Sequence, residues 1–220
     1  MTRLSKTVSI LIYCCLFVSS VSAETLTIPK QDAPAASPAA VTTSPSPRID
    51  YERIKTLRGY PGDILSIAFS PDGKLMAIGT SEQAVIIWDV SNWQQIKTLE
   101  EKDEEVRALA FSRDGKYLAA GYDDKKVHLW DTSTWGKTLS IKASDDVNSL
   151  SFNGDGSVLA IARDNIEVLL WDIKSNKPHQ KLKGHNGDVK AVGYSPDGSR
   201  LASGGTDNAV IIWDAVSGKK

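Results

Sequence analysis

The dipeptide Trp-Asp occurs four times, at Trp88-Asp89, Trp130-Asp131, Trp171-Asp172 and Trp213-Asp214, at steps of 42, 41 and 42 residues. Asp-Gly pairs keep the same steps, at Asp72-Gly73, Asp114-Gly115, Asp155-Gly156 and Asp197-Gly198. A fixed period of this length signals a row of similar supersecondary units, each burying its apolar surface against its neighbours. The clearest copy runs from Leu182 to Lys220 and adds Gly184-His185 and Asp207 to the fixed points.

Each unit opens with an alternating strand. One face holds Ile64, Ser66 and Ala68, then Val106, Ala108 and Ala110, then Val147, Ser149 and Ser151, then Val189, Ala191 and Gly193. The other face ends in a ring at Phe69, Phe111, Phe152 and Tyr194. This period of two excludes a helix. The Asp-Gly turn that follows supplies hairpin chemistry, since Gly accepts a positive φ and Asp bonds the local backbone. A second strand comes next, such as Leu201-Ala-Ser203. The third is apolar on both faces, as in Val85-Ile-Ile-Trp88, and so is covered on both sides. A mixed outer strand closes the unit, as in Gln95-Ile-Lys-Thr-Leu99.

A period of about 40 to 45 residues with Gly-His and Trp-Asp punctuation resembles the WD-repeat family, whose units are four-stranded blades of a β-propeller. The resemblance implies an all-β propeller domain over residues 51–220, built of four repeats, each a four-stranded antiparallel blade. In that family a buried hydrogen-bond network joins the His of Gly-His, a Ser or Thr of the second strand, an Asp and the Trp indole. The last repeat matches it fully with His185, Ser203, Asp207 and Trp213. The others match in part: Tyr60, Ile78, Glu82 and Trp88, then Lys102, Ala120, Asp124 and Trp130, then Ala143, Ile161, Asn165 and Trp171.

The resemblance also implies a docking face, made by the loops that lead into the first strand and join the second to the third. Residue by residue this points to Tyr60, Asp63, Glu82, Tyr122, Asp123, Arg163, Asp164 and Thr206, with Tyr and Arg as anchors. The run from Glu100 to Glu105, which replaces the Gly-His loop of the second repeat, reads either as a solvated loop or as an acidic contact for a basic partner.

Residues 1–23 have the layout of a secretory signal peptide, with Arg3 and Lys6 before an apolar run from Val8 to Val18, then Val21-Ser22-Ala23 as a cleavage site. The run is short for a bilayer span, and cleavage would leave no membrane span; an uncleaved anchor is the alternative. Residues 24–50, rich in Pro, Ala and Ser, read as a disordered linker, because they lack the apolar mass to offset ordering. These segments imply a secreted or periplasmic protein. Both cysteines, Cys14 and Cys15, lie in the leader, so the mature chain is expected to hold no disulfide or thiolate.

A net charge of −1 speaks against nucleic acid as a partner. With three histidines and no thiols in the repeats, neither a metal site nor another cofactor is expected. His185, Ser203 and Asp207 are the residue types of a nucleophilic triad. They coincide with the family's structural network, which favours the structural reading.

Residues 51–57 (YERIKTL) resemble the outer strand at Gln94 to Leu99 (QQIKTL), and so are expected to complete the last blade as its fourth strand. Three assemblies stay open: an open-ended or truncated propeller, a ring completed by a second copy in a homodimer, and a closed four-bladed monomer. The function expected is an exported, non-enzymatic scaffold that binds protein partners. The alternatives are an exported propeller-type enzyme of hydrolase kind and a fragment of a longer WD-repeat protein without a function of its own.

Overall fold

The computed structural model describes residues 52–82, 84–100 and 104–220. The expected signal peptide and linker lie outside the described residues. Residues 60–220 belong to one compact unit, and residues 52–59 to another.

Among the described residues fifteen strands make four antiparallel sheets. The first sheet holds β1 (Ile64–Phe69), β2 (Leu75–Thr80), β3 (Ala84–Asp89) and β4 (Gln94–Glu100). The second holds β5 (Val106–Phe111), β6 (Tyr117–Tyr122), β7 (Lys126–Asp131) and β8 (Lys137–Lys142). The third holds β9 (Val147–Phe152), β10 (Val158–Arg163), β11 (Glu167–Asp172) and β12 (Lys177–Lys183). The fourth holds β13 (Val189–Tyr194), β14 (Arg200–Gly205) and β15 (Val210–Asp214). Strands are paired in chain order within every sheet, so each is a simple meander.

Two expectations are corrected here. Among the described residues the fourth blade has three strands rather than four, and residues 52–59 contain no strand. Their alternation suits an outer strand, but a strand exists only where a ladder satisfies its backbone groups. Leu57, at the place of the buried Leu99 of β4, is only half-buried.

The Asp-Gly hairpins form as the sequence dictates. Gly73, Gly115, Gly156 and Gly198 all have φ between 71° and 75°, the left-handed region that glycine enters without steric cost. In three of them a serine hydroxyl donates to the turn carboxylate: Ser70 to Asp72 at 2.7 Å, Ser112 to Asp114 at 2.7 Å and Ser195 to Asp197 at 2.5 Å. The third turn uses Ser157, which donates to Asp155 at 2.6 Å. The Asp of each Trp-Asp pair ties the next turn, accepting a backbone N–H from Ser91, Ser133, Ser175 or Ser217 at 2.6–2.9 Å.

The blades stack face to face through three apolar layers. The first joins Val85, Ile87 and Leu99 to Val106, Leu109, Leu118 and Trp130. The second joins Val127, Leu129 and Ile141 to Val147, Leu150, Phe152 and Leu159. The third joins Val168, Leu170 and Leu182 to Val189, Leu201 and Trp213. Burying one such aliphatic side chain contributes about 1.5–3 kcal/mol, so these layers hold the stack together. The inner strands pack in the order β1, β5, β9, β13, and no comparable packing joins β13 back to β1. The described blades therefore form an open arc.

Candidate functional site

One rim of the arc collects the loops singled out by the sequence. In every blade the loop leading into the inner strand is tied to the turn between the second and third strands by one backbone hydrogen bond. The four bonds run from Ser81 N–H to Asp63 O (2.9 Å), Asp123 to Glu105 (3.3 Å), Asp164 to Asp146 (3.0 Å) and Thr206 to Asp188 (2.9 Å). Of the expected rim residues, Asp123, Asp164 and Thr206 are thus brought to equivalent places, a position held by Ser81 in the first blade, while Asp63 stands across this bond on the loop side, with Glu82 exposed in the turn beside it. Missed by sequence reasoning were Glu105, Asp146 and Asp188. They stand with Asp63 at the same offset before Trp-Asp in all four repeats, and that offset was the available signal.

The rim is predominantly acidic, with local cations. Arg107 contacts Glu105 at 3.2 Å and Asp123 at 3.7 Å. Lys190 pairs with Asp164 and lies 3.7 Å from Asp188. Burial pushes the Asp164 carboxyl up, but bonds from Lys190 and Asn148 outweigh it and hold the group below the usual range. Glu104 shows the opposite result: burial, and then the charges of Asp124 and Asp123, push its carboxyl up.

Two of the expected anchors do not belong to the rim surface. Tyr122 is 1% exposed and Arg163 is 3% exposed. Each is the last residue of its blade's second strand and turns beneath the loop. At the same place in the fourth blade stands Gly205, where a Cβ would lie 2.9 Å from His185 Nδ1. The histidine therefore requires glycine there, and the repeats lacking the histidine carry Thr80, Tyr122 and Arg163 at that place, all buried. Tyr60 is intermediate, set edge-on to Trp88 at 6.1 Å between centroids. Its hydroxyl is buried without a hydrogen-bond partner, and burial pushes it up from its ordinary pKa.

The fourth blade carries the whole polar network. Trp213 Nε1–H donates to Ser203 Oγ at 2.8 Å, and Ser203 Oγ lies 2.8 Å from His185 Nε2. His185 Nδ1 lies 3.0 Å from both Asp207 oxygens. An ionised carboxylate only accepts, so Nδ1 carries the hydrogen, and in the neutral ring Nε2 accepts from the serine hydroxyl. Asn186 N–H, then the His185 ring, hold the Asp207 carboxyl below the usual range.

The spacing is that of a Ser-His-Asp triad, yet Ser203 is 2% exposed, His185 is 3% exposed and the indole occupies the serine oxygen. A nucleophile must present its oxygen to a substrate carbonyl, and this oxygen faces the indole N–H inside the blade. The network joins four parts of one blade, the loop before β13, the second strand, the turn after it and the third strand.

The other blades answer the missing network in different ways. In the third blade Arg163 replaces it. Its guanidinium donates to Ala143 O at 3.0 Å and to Asp145 at 2.7 Å and lies 3.9 Å from Glu167, while Asn165 also donates to Asp145. Ala143 stands where the fourth blade has His185. In the first and second blades Ile78 and Ala120 stand where Ser203 does, and the buried indole N–H groups of Trp88 and Trp130 have no hydrogen-bond partner. Among the described residues no group of three or more His, Cys, Asp or Glu side chains is placed to hold a metal ion. No helix among them is long and apolar enough to cross a membrane.

A family model described as WD domain, G-beta repeat matches residues 51–89, 93–131 and 176–214, more than half of the chain. The second and third matches begin just before the outer strands β4 and β12, and every match ends at a Trp-Asp pair. The stretch left unmatched is the third unit, where alanine, isoleucine and asparagine stand in for His, Ser and Asp. Comparison with curated proteins gives no match. The repeats, the meander sheets, the fourth blade's network and the matched segments together establish that the chain belongs to the WD-repeat family.

Proposed function

We propose that this chain is an exported, non-enzymatic scaffold that binds a protein partner along its loop rim. The observation that carries the reading is the recurrence of a carboxylate at one point of all four blades, Asp63, Glu105, Asp146 and Asp188, with Glu82, Asp123 and Asp164 beside them. Such a row, supported by rigid stacked sheets, suits a segment rich in Lys and Arg, which it would attract and orient. The sealed Ser203 favours binding over hydrolysis. Export is supported by the sequence pattern of residues 1–23.

The test is the binding of a Lys/Arg-rich peptide to the native chain and to a variant carrying Asp63→Lys, Glu82→Lys and Asp146→Lys. The native chain should bind, and binding should weaken as salt screens the rim. The variant should lose it with its melting curve intact. Equal binding by the variant, or binding insensitive to salt, would remove the rim from the account. Processing is checked separately: the secreted or periplasmic form should begin near Glu24.

A further inference from the structure

All three junctions between blades repeat one arrangement. The valine that opens an inner strand lies over a small residue near the end of the preceding blade's second strand. Val106 lies over Gly79, its Cγ1 2.7 Å from where a Cβ would stand, and Val147 lies over Gly121 at 2.4 Å. Val189 and Ala162 meet in the third layer. Beside each socket an aliphatic pair from the third strand completes the acceptor: Val85 and Ile87, Val127 and Leu129, Val168 and Leu170. All six are at most 3% exposed.

The fourth blade presents the same acceptor with nothing in it. Gly204 stands at the place of Gly79 and Gly121, and a Cβ there would meet nothing within 4 Å. Val210 and Ile212, equivalent to the buried pairs, are 74% and 50% exposed. Gly193 on the inner strand is equally open. The matching donor is on the first blade. Ile64 holds the place of Val106, Val147 and Val189, and its strand neighbours Ile67 and Phe69 are 42% and 52% exposed. Their equivalents in the third blade, Leu150 and Phe152, are 7% and 8% exposed. The inner strand is the open part of that side, since Met76 and Ile78 farther out are buried.

We infer that the free side of blade four is a docking surface for the inner strand of blade one of a second copy of this chain, with Ile64 entering the socket over Gly204. The occupant follows from continuity with the internal junctions. Donor and acceptor carry the same residue types at the same register positions as three interfaces already formed, so one chain's last blade meets another chain's first as blade meets blade within the chain. The contact is head to tail. Two of them related by a twofold axis join two chains into a ring of eight blades, inside the range propellers adopt. The inference is independent of what binds the loop rim.

The test is the molar mass of the full chain by light scattering over a hundredfold range of concentration. The native chain should show twice the mass of one chain and fall towards one on dilution. Gly204→Leu, which fills an open socket, and separately Val210→Asp should give single-chain mass with unaltered circular dichroism. If Gly204→Leu misfolds, Val210→Asp decides alone. Mixing folded Val210→Asp with folded Ile67→Asp should restore a two-chain species, because one intact donor then meets one intact acceptor. A native chain at single-chain mass throughout, a dimer surviving in Val210→Asp, or a mixture no heavier than its components would each overturn the inference.

Discussion

Val147 rests so closely on Gly121 that a Cβ on the glycine would stand 2.4 Å from the valine Cγ1 and 3.0 Å from its Cβ. The second and third blades meet here with no room for one more carbon. Gly121→Ala is expected to destabilise the fold by about 1–3 kcal/mol, the usual cost of overpacking. Gly204→Ala, in the open socket of blade four, should stay within about 0.5 kcal/mol in dilute solution. Urea unfolding followed by tryptophan fluorescence checks both, and equal losses would mean that the two glycines do not differ in their surroundings.

The fourth blade's network makes a second prediction. Ser203→Ala leaves the Trp213 N–H and His185 Nε2 without their shared partner inside the blade. The expected loss is about 1–3 kcal/mol, the penalty for stranding buried polar groups. Thermal melting reads it. A stability equal to the native chain's would show that water reaches these atoms.

Much of this architecture is legible in the sequence. The Trp-Asp and Asp-Gly steps give the number of blades, and the two-residue alternation gives the strands, because both reflect local turn chemistry and packing faces. The fate of Tyr122 and Arg163 is not legible in that way. Their orientation depends on whether a histidine some twenty residues earlier occupies the same volume, a tertiary condition that shows only when Gly205 is compared with them. The absence of a strand over residues 52–59 is a similar case. The segment has the composition of an outer strand, but pairing depends on a distant edge rather than on its own residues.

Ala120 offers a gain rather than a loss. It is fully buried at the place of Ser203, and the Trp130 N–H in its blade has no hydrogen-bond partner. Ala120→Ser supplies an acceptor for one added atom and is expected to stabilise by about 1 kcal/mol. Ile78→Ser in the first blade also gives Trp88 an acceptor, but it removes aliphatic volume and should lose about 2–4 kcal/mol through the cavity left. Paired denaturation curves distinguish the two, and a loss in both would mean that the indoles are better left alone.

Acid stability should report the hairpin turns. Hydrogen bonds from the Ser195 hydroxyl, then from Ser199, hold the Asp197 carboxyl down to about 2, against an unperturbed value of 3.8. A carboxyl depressed in the folded state stabilises fully above its unfolded pKa and loses that contribution as pH falls through its folded pKa. Asp197→Asn should therefore be less stable than the native chain by a constant amount at pH 5–8, and the gap should narrow as pH falls from about 4 to about 2. A gap unchanged down to pH 2 would mean that the charge of Asp197 plays no part.

In a row of units that pack chiefly on their neighbours, cooperativity is largely a sum of what each unit holds within itself and what it shares across its borders. The fourth blade has one such border among those described, and it is also the blade with His185, Ser203, Asp207 and Trp213 joined without a gap. The second blade has two borders and lacks the chain. The internal bonds thus strengthen a blade that has lateral support on one side only. Fraying from that end, which a linear array would otherwise permit cheaply, must first dismantle a closed set of buried hydrogen bonds, and amide exchange in β13 and β14 should be correspondingly slow.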